Sequence, residues 1–341
     1  MKLGDISINY VRAVLDTLEG LGGSPNDLLK KYEIKEEVLS QPDARISMAR
    51  FMRLGHSAIH AVNRVDIGLE MGKQFRLPVI GLAGILAMTA KDIETACRVI
   101  AHYEPLSSSN CRGQSGFYIE DGRGVSSFYS ISPYNDYNKF VVDAVLSAQL
   151  KVIEWMSGRS GILERVEVEF DRVSYADAYA EYFKCPILFG QSRNALVIKP
   201  KALKFPLLQH DKNAFLSLKE ICDERLTKLT KNRTLSEKVI DAINPLLAGN
   251  TPCIEQVSAR LGMPTWNLRR ELKKHDTSFQ ILLNDTRKEL ATCYLKETNL
   301  AIGEIAYLLG YASPMAFSKA FKRWTALAPG QYRMQELNDY K

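Results

Sequence analysis

The chain has 341 residues, enough for two or three domains that each bury a core. With 46% hydrophobic and 25% charged residues, it is neither a disordered nor a fibrous sequence. The net charge of +6 is mild, but between Lys319 and Arg333 there are four basic residues and no acidic one, a local bias that points toward nucleic acid.

No apolar run reaches membrane-spanning length; residues 77–90 come closest and are short and broken by glycine. The opening MKLGDISINYVRAVLD lacks the apolar core of a signal peptide, so a cytoplasmic protein without a membrane partner is expected. Six cysteines (Cys97, Cys111, Cys185, Cys222, Cys253, Cys293) are scattered without metal-like spacing and read as buried free thiols.

In chain order, residues 7–61 read as helical. Val11, Val14, Leu15, Leu18 and Leu21 mark a first helix stopped by Gly22-Gly23, Ser24-Pro25 opens a second, and residues 47–61 form a third. His56 and His60 stand four apart on that third helix. No carboxylate or cysteine accompanies them in a ligand pattern, so surface or packing roles are expected. Residues 74–90 read as a glycine-rich apolar loop, whose GLAG lacks the lysine and preceding strand of a phosphate loop. A helix follows over 91–103.

The period then changes. Residues 116–120 and 125–131 are β-rich around the turn 120–124, which predicts a hairpin. Residues 138–156 predict a long helix, 165–170 a strand, 176–183 a helix and 195–198 a strand. Helices interleaved with strands give an α+β domain over residues 1–207. No serine–histidine, cysteine–histidine or paired-carboxylate signature falls within it, which argues against an enzyme. Residues 208–233 read as a charged linker helix that either packs on this domain or pairs with a second copy.

The last hundred residues contain a repeat. Ile254, Val257, Leu261 and Gly262 match Ile302, Ile305, Leu309 and Gly310 at an offset of 48. Beyond the turn, Leu268, Arg270 and Leu272 match Phe317, Lys319 and Phe321 at 49. Each copy reads as a helix, a glycine turn and a second helix, with units at about 254–274 and 302–324, and residues 279–298 form one helix between them. Two reading helices held at fixed separation can enter successive major grooves, ~34 Å apart along DNA.

Residues 234–333 resemble the DNA-binding domain of AraC/XylS-type transcription regulators, most specifically through GYASPMAFSKAFKRWTALAPGQYR, with IEQVSARLGMPTWNLRRELKK and TSFQILLNDTRKELATCYL matching the first unit and connecting helix. GLGGSPNDLLKKYEI, PDARISMARFMRL, DIGLEMGKQF and YFKCPILFGQSRNALVIKPKAL resemble the arabinose-binding-like domain of the ornithine-regulator subgroup. The implied architecture is an α+β sensor domain joined by a linker helix to an all-α domain, residues 234–341, with two helix-turn-helix units.

The resemblance places Trp266, Asn267, Arg269 and Arg270 on the first reading helix, and Pro314, Met315, Ser318 and Lys319 on the second. Arginine can bond both guanine acceptors and asparagine can pair with adenine, whereas Met315 and Ser318 are poor direct readers. Lys322 and Arg323 fit phosphate contacts, and Phe317, Phe321 and Trp324 are expected in the core. Three positions depart from the family pattern. Pro264 replaces a capping serine, so Thr265 is expected to cap instead. Asp276 and Ala326 each replace a frequent glycine.

For the sensor domain the resemblance implies a small-molecule effector. Residues 77–88 with Tyr103, Tyr129, Tyr134 and Tyr137 are candidates for its cavity, and Arg45 and Arg76 for holding an acidic one. The functional expectation is a homodimeric, effector-responsive activator of transcription that binds promoter DNA and engages RNA polymerase, with no cofactor or metal. The alternatives are an N-terminal domain that serves only assembly, or a catalytic one delivered to DNA.

Overall fold

The chain divides into two units, one within residues 5–228 and the other covering Leu229–Lys341. The computed structural model describes residues 4–41, 44–110, 114–129, 136–231, 234–247, 249–297 and 300–338. Among the described residues no helix is long and apolar enough to cross a membrane.

The N-terminal unit begins with β1 (Gly4–Ser7) and α1 (Ile8–Gly20), where Ser7 caps the helix by accepting from the Asn9 N–H at 3.3 Å. Ile8, Val11, Val14, Leu15 and Leu18 recur at helical spacing, and all are buried. Then come α2 (Pro25–Lys31), α3 (Glu36–Leu39), β2 (Arg45–Ser47), α4 (Met48–Val62), α5 (Ile67–Lys73), α6 (Leu82–Met88), α7 (Ile93–Tyr103) and β3 (Ser108–Asn110). β1 pairs antiparallel with β2, and β3 flanks it on the other side. Residues 7–61 are therefore not wholly helical. Strands of three or four residues leave no period to read, which is why this small sheet is invisible in the pattern. Likewise α6 occupies what reads as a loop: its Gly84 sits where a Cβ would lie 2.3 Å from the Leu77 carbonyl oxygen.

The second sheet comprises β4 (Gln114–Glu120), β5 (Arg123–Tyr129), β6 (Leu163–Glu167), β7 (Ile187–Leu188) and β8 (Asn194–Ile198), in the order β4-β5-β8-β6-β7. Its pairs are antiparallel except β6 with β7. Asp121 and Gly122 make the hairpin turn, both at positive φ. β6 starts and stops earlier than the predicted 165–170, because Leu163–Glu167 is the stretch that pairs with β8 across a register shift.

Helix α8 (Asp136–Ser157) is the spine of this unit: β5 and β8 pack on it from one side, α4 and α5 from the other. Close approach of α5 requires glycine. A Cβ at Gly68 would stand 2.6 Å from the Phe140 carbonyl oxygen, and one at Gly72 2.6 Å from the Ala148 nitrogen. Helix α9 (Ala176–Phe183) is tied to α8 through tyrosines. Tyr175 donates to Asp143 Oδ2 at 2.7 Å, Tyr179 donates to Asp143 Oδ1, and Tyr182 donates to the Ser147 carbonyl at 2.9 Å. Helix α10 (Lys212–Lys231) is docked on this unit. Cys222 is fully buried in its core, and Phe215, Leu218 and Leu226 pack against that core.

The cysteines divide. Cys97 and Cys222 are buried, whereas Cys185 and Cys293 are half-buried and Cys253 is exposed, which corrects the uniform expectation; Cys111 lies outside the described residues. Cys253 precedes a helix as its cap, a position that keeps it at the surface.

The C-terminal unit is all helical: α11 (Leu235–Ile243), α12 (Ile254–Arg260), α13 (Thr265–Lys274), α14 (Phe279–Glu297), α15 (Ile302–Leu308), α16 (Pro314–Thr325) and α17 (Pro329–Asn338). Its sequence repeat is a structural one. α12–α13 and α15–α16 are two helix-turn-helix units whose turns use Gly262 (φ +63) and Gly310 (φ +67). The matched apolar positions Leu268 and Phe317, and Leu272 and Phe321, are all buried. α14 runs between the units, its 19 residues spanning about 28 Å.

Candidate DNA-reading face and sensor cavity

Helix α13 starts at Thr265, and Pro264 is its cap residue without a side-chain cap bond. The Pro264 carbonyl instead accepts from the Asn267 and Leu268 N–H groups, both at 3.0 Å. Thr265 thus stands inside the first turn rather than capping it, because Pro264 already has the extended geometry that precedes a helix. With Leu268 and Leu272 in the core, the opposite side of α13 faces outward. Trp266 is 63% exposed, Arg269 and Arg270 are exposed, and Asn267 is half-buried.

These side chains engage one another. The Arg270 guanidinium lies 5.0 Å over the Trp266 ring, and its Nη2 donates to Asn267 Oδ1 at 2.9 Å. Arg269 meets Glu255 of α12 at 3.5 Å with both groups exposed, a contact too long and too wet to hold the guanidinium back.

Helix α16 is capped conventionally, Ser313 Oγ accepting from the Ala316 N–H at 3.2 Å ahead of Pro314. Phe317 and Phe321 are fully buried, and Trp324 is half-buried against Phe321 and Tyr311. Outward stand Met315, 70% exposed, with exposed Lys319, Lys322 and Arg323, while Ser318 is half-buried. The two outward faces differ in kind: α13 offers two guanidiniums, an amide and an indole, and α16 offers two ammonium groups and one guanidinium around a thioether.

The turns are supported differently too. A Cβ on Gly262 would meet nothing within 4 Å, whereas one on Gly310 would lie 2.0 Å from the Asn250 carbonyl oxygen. Around Gly310, the segment ahead of α12 is knitted to the second unit. Thr251 Oγ1 donates to the Gly310 carbonyl at 2.9 Å, and the Gly249 N–H donates to the Tyr307 carbonyl at 3.0 Å. Arg287 of α14 completes this junction from within the core, at 6% exposure. Its Nε donates to the Leu309 carbonyl at 2.8 Å and its Nη2 to the Gly310 carbonyl at 2.9 Å and to Thr251 Oγ1 at 3.2 Å. The Tyr311 ring lies 4.6 Å beneath the guanidinium. A buried cation thus joins both halves of the repeat through three acceptors.

The N-terminal unit holds a partly open cavity of about 110 Å3. Phe51 and Met48 of α4, Met71 of α5, Phe128 of β5, and Val141, Val145 and Val152 of α8 supply much of an apolar wall. Its polar groups are Tyr10, Glu104, Ser107, Ser108, Ser115, Ser126 and Gln149. Glu104, just beyond α7, accepts from the Ser115 N–H at 2.8 Å and the Ser115 hydroxyl at 2.9 Å. Burial pushes its carboxyl above the usual range in spite of those bonds. Burial and the adjoining Glu104 likewise push Tyr10 up to about 12, so its phenol stays a donor beside Ser107.

Residues 22–207 match the arabinose-binding N-terminal domain of AraC transcription regulators, and residues 257–335 match a helix-turn-helix domain. The chain belongs to the AraC family of transcription regulators. Among its relatives, the Ornithine utilization regulator of Pseudomonas aeruginosa is 25% identical over 332 residues, covering 96% of each chain. The HTH-type transcriptional regulator VirS of Mycobacterium tuberculosis is 24% identical over 345 residues, covering 98% of each. The Urease operon transcriptional activator of Escherichia coli is 33% identical over 82 residues, 24% of this chain and 28% of that one. This AraC-family chain is therefore a DNA-binding transcription regulator, and its relatives are named as regulators rather than enzymes.

The sensor-side candidates fall elsewhere than the cavity wall. Arg45 is spent on Asp5, its Nε donating to the carboxylate at 2.5 Å, and Arg76 is exposed. Tyr103 is buried and donates to Asp223 of α10, so it fastens that helix. Tyr129 is 37% exposed at the end of β5. None of the four lines the cavity. Tyr134 and the Tyr137 side chain lie outside the described residues. From residues 77–88 only Ile80 reaches the wall. His56 and His60 meet directly, Nε2 to Nε2 at 3.2 Å, and among the described residues no group of three or more metal-ligand side chains converges. The most perturbed acid, Asp143, with a pKa raised by burial to about 7, is fully buried under Tyr175 and Tyr179 and does not line the cavity.

Glu104 and Arg287 are the two residues the pattern did not single out. Arg287 had a signal: it shares a helical face with Leu283, Leu290 and Tyr294, where a charge needs an internal partner. Glu104 had none, since its role depends on strands contributed by distant segments.

Proposed function

We propose that this AraC-family regulator is a homodimeric transcription activator that works in the cytoplasm, reads promoter DNA chiefly through α13 and responds to a small molecule held in the N-terminal cavity. The observation carrying the DNA side of this reading is the asymmetry of the two outward faces. Arg269, Arg270 and Asn267 can pair with base edges, with Trp266 packing on a thymine methyl or the backbone. Met315 and Ser318 offer little discrimination, while Lys319, Lys322 and Arg323 suit phosphates. Activation and contact with RNA polymerase draw support from relatives named as activators, such as that of the urease operon. For sensing, the support is the cavity itself, an apolar chamber with a few polar groups. An effector acts only if it binds two global states unequally.

Duplexes selected from a random pool test the division of labour. Arg269→Ala should cost about 1–3 kcal/mol on the best duplex and relax preference at one position. Lys319→Ala should weaken all duplexes alike and lower the salt slope by about 1. If Lys319→Ala changed base preference and Arg269→Ala did not, the assignment would be reversed.

A further inference from the structure

The cavity's polar groups and its walls are unequal in charge. Glu104 is the sole ionisable carboxyl on the wall, and among the described residues no lysine, arginine or histidine lines it. Among the described residues the carboxylate's bonds come from Ser115, one to each oxygen, and no described cation bonds to it. A carboxylate offers about four lone-pair positions, of which the two described bonds occupy half. Tyr10 and Ser107 stand beside it, and the remaining wall is largely aliphatic and aromatic. An acidic ligand would set like charge against Glu104, with no base on the described wall to compensate it. Arg45 does not line the cavity: it pairs with Asp5 and reaches the Leu106 carbonyl at 3.4 Å, close enough to act on Tyr10 but not bonded to Glu104.

We infer that the cavity takes a protonated aliphatic amine, its ammonium group on Glu104 and its apolar body along α4, α5 and α8. An ammonium supplies three donors, which match the free positions on Glu104 and the nearby serine oxygens. It also supplies the charge that a buried carboxylate lacks. Size limits the body. A cavity of about 150 Å3 holds one benzene in an engineered protein, so the roughly 110 Å3 here suits a short chain.

This inference rests on the effector-sensing reading above and can fail without it. The test uses the full chain and three probes of equal length: n-pentylamine, pentan-1-ol and pentanoate. Calorimetry should show pentylamine binding at least tenfold more tightly than the alcohol, and no binding of pentanoate. A thermal shift should appear for the amine alone, because stabilisation follows affinity. Glu104→Gln should weaken pentylamine at least tenfold, and Val145→Phe, which fills the apolar side, should abolish binding. Affinity of the wild-type chain should rise with pH as Glu104 ionises while the amine remains charged, a measurement that holds even if Glu104→Gln does not fold. Equal binding of the alcohol or the acid, a flat pH profile, or amine affinity unmoved by Glu104→Gln would overturn the inference. Binding to the selected duplex is followed in the same samples. Intact DNA binding without amine binding sinks the amine assignment only, while loss of sequence-selective DNA binding sinks the regulatory reading.

Discussion

The two helix-turn-helix units share a pattern, a glycine turn and a buried stripe, yet they are supported in opposite ways. The first turn is open: Gly262 needs glycine only for its backbone angle, and space surrounds it. The second is enclosed by Leu247, Asn250 and Thr251 and by Arg287, so Gly310 needs glycine for angle and for room. In the reading proposed above the open unit supplies the discriminating side chains, while both α13 (Arg269, Arg270, Lys273, Lys274) and α16 (Lys319, Lys322, Arg323) carry basic charge. Equal sequence motifs can thus have unequal duties, with packing around the turn marking which unit anchors the domain.

That contrast can be broken by substitution. Gly310→Ala should be the most damaging, about 3–4 kcal/mol, since the new methyl meets backbone and the angle is strained as well. Chemical denaturation of the C-terminal transition measures it, and a loss under 1 kcal/mol would mean the junction is slack. Arg287→Ala should follow at about 3 kcal/mol, because the Leu309 and Gly310 carbonyls lose charged donors inside the core. Arg287→Lys should recover only part of this, a single ammonium being unable to span three acceptors. Gly262→Ala should cost about 1 kcal/mol and leave duplex binding intact. Smallest is a gain: Ala326 sits at φ +63 as the left-handed cap of α16, so Ala326→Gly should add about 0.5 kcal/mol.

Helices with strong periodicity and capped ends were legible in the sequence. α1, α8 and α9 follow their apolar spacing, and the repeat located both helix-turn-helix units before any coordinates. What could not be read depends on non-local partners. The three-stranded sheet joins residues 5–7, 45–47 and 108–110, each too short to show alternation. α6 looked like a loop because its glycine serves packing against Leu77, which composition cannot distinguish from flexibility. The cavity was the least legible part. Tyr103 looked like a wall residue and proved to be a fastener for α10, while Glu104, next to it in sequence, turned into the chamber. Ala326 stands out in the sequence as replacing a frequent glycine, and its φ of +63 shows why glycine would suit that position.

The contact among Trp266, Arg270 and Asn267 has a thermodynamic consequence. Immobilising a rotamer-rich side chain at an interface costs about 0.5–1.5 kcal/mol, and here much of that ordering has already occurred in the free protein. Arg270 gives one N–H to Asn267, so further guanidinium donors and the Asn267 amide N–H groups stay available, and in the reading proposed above the two side chains meet DNA as an aligned pair. On that proposal, selectivity on this helix depends partly on how well each DNA sequence fits side chains that are already aligned in the free protein.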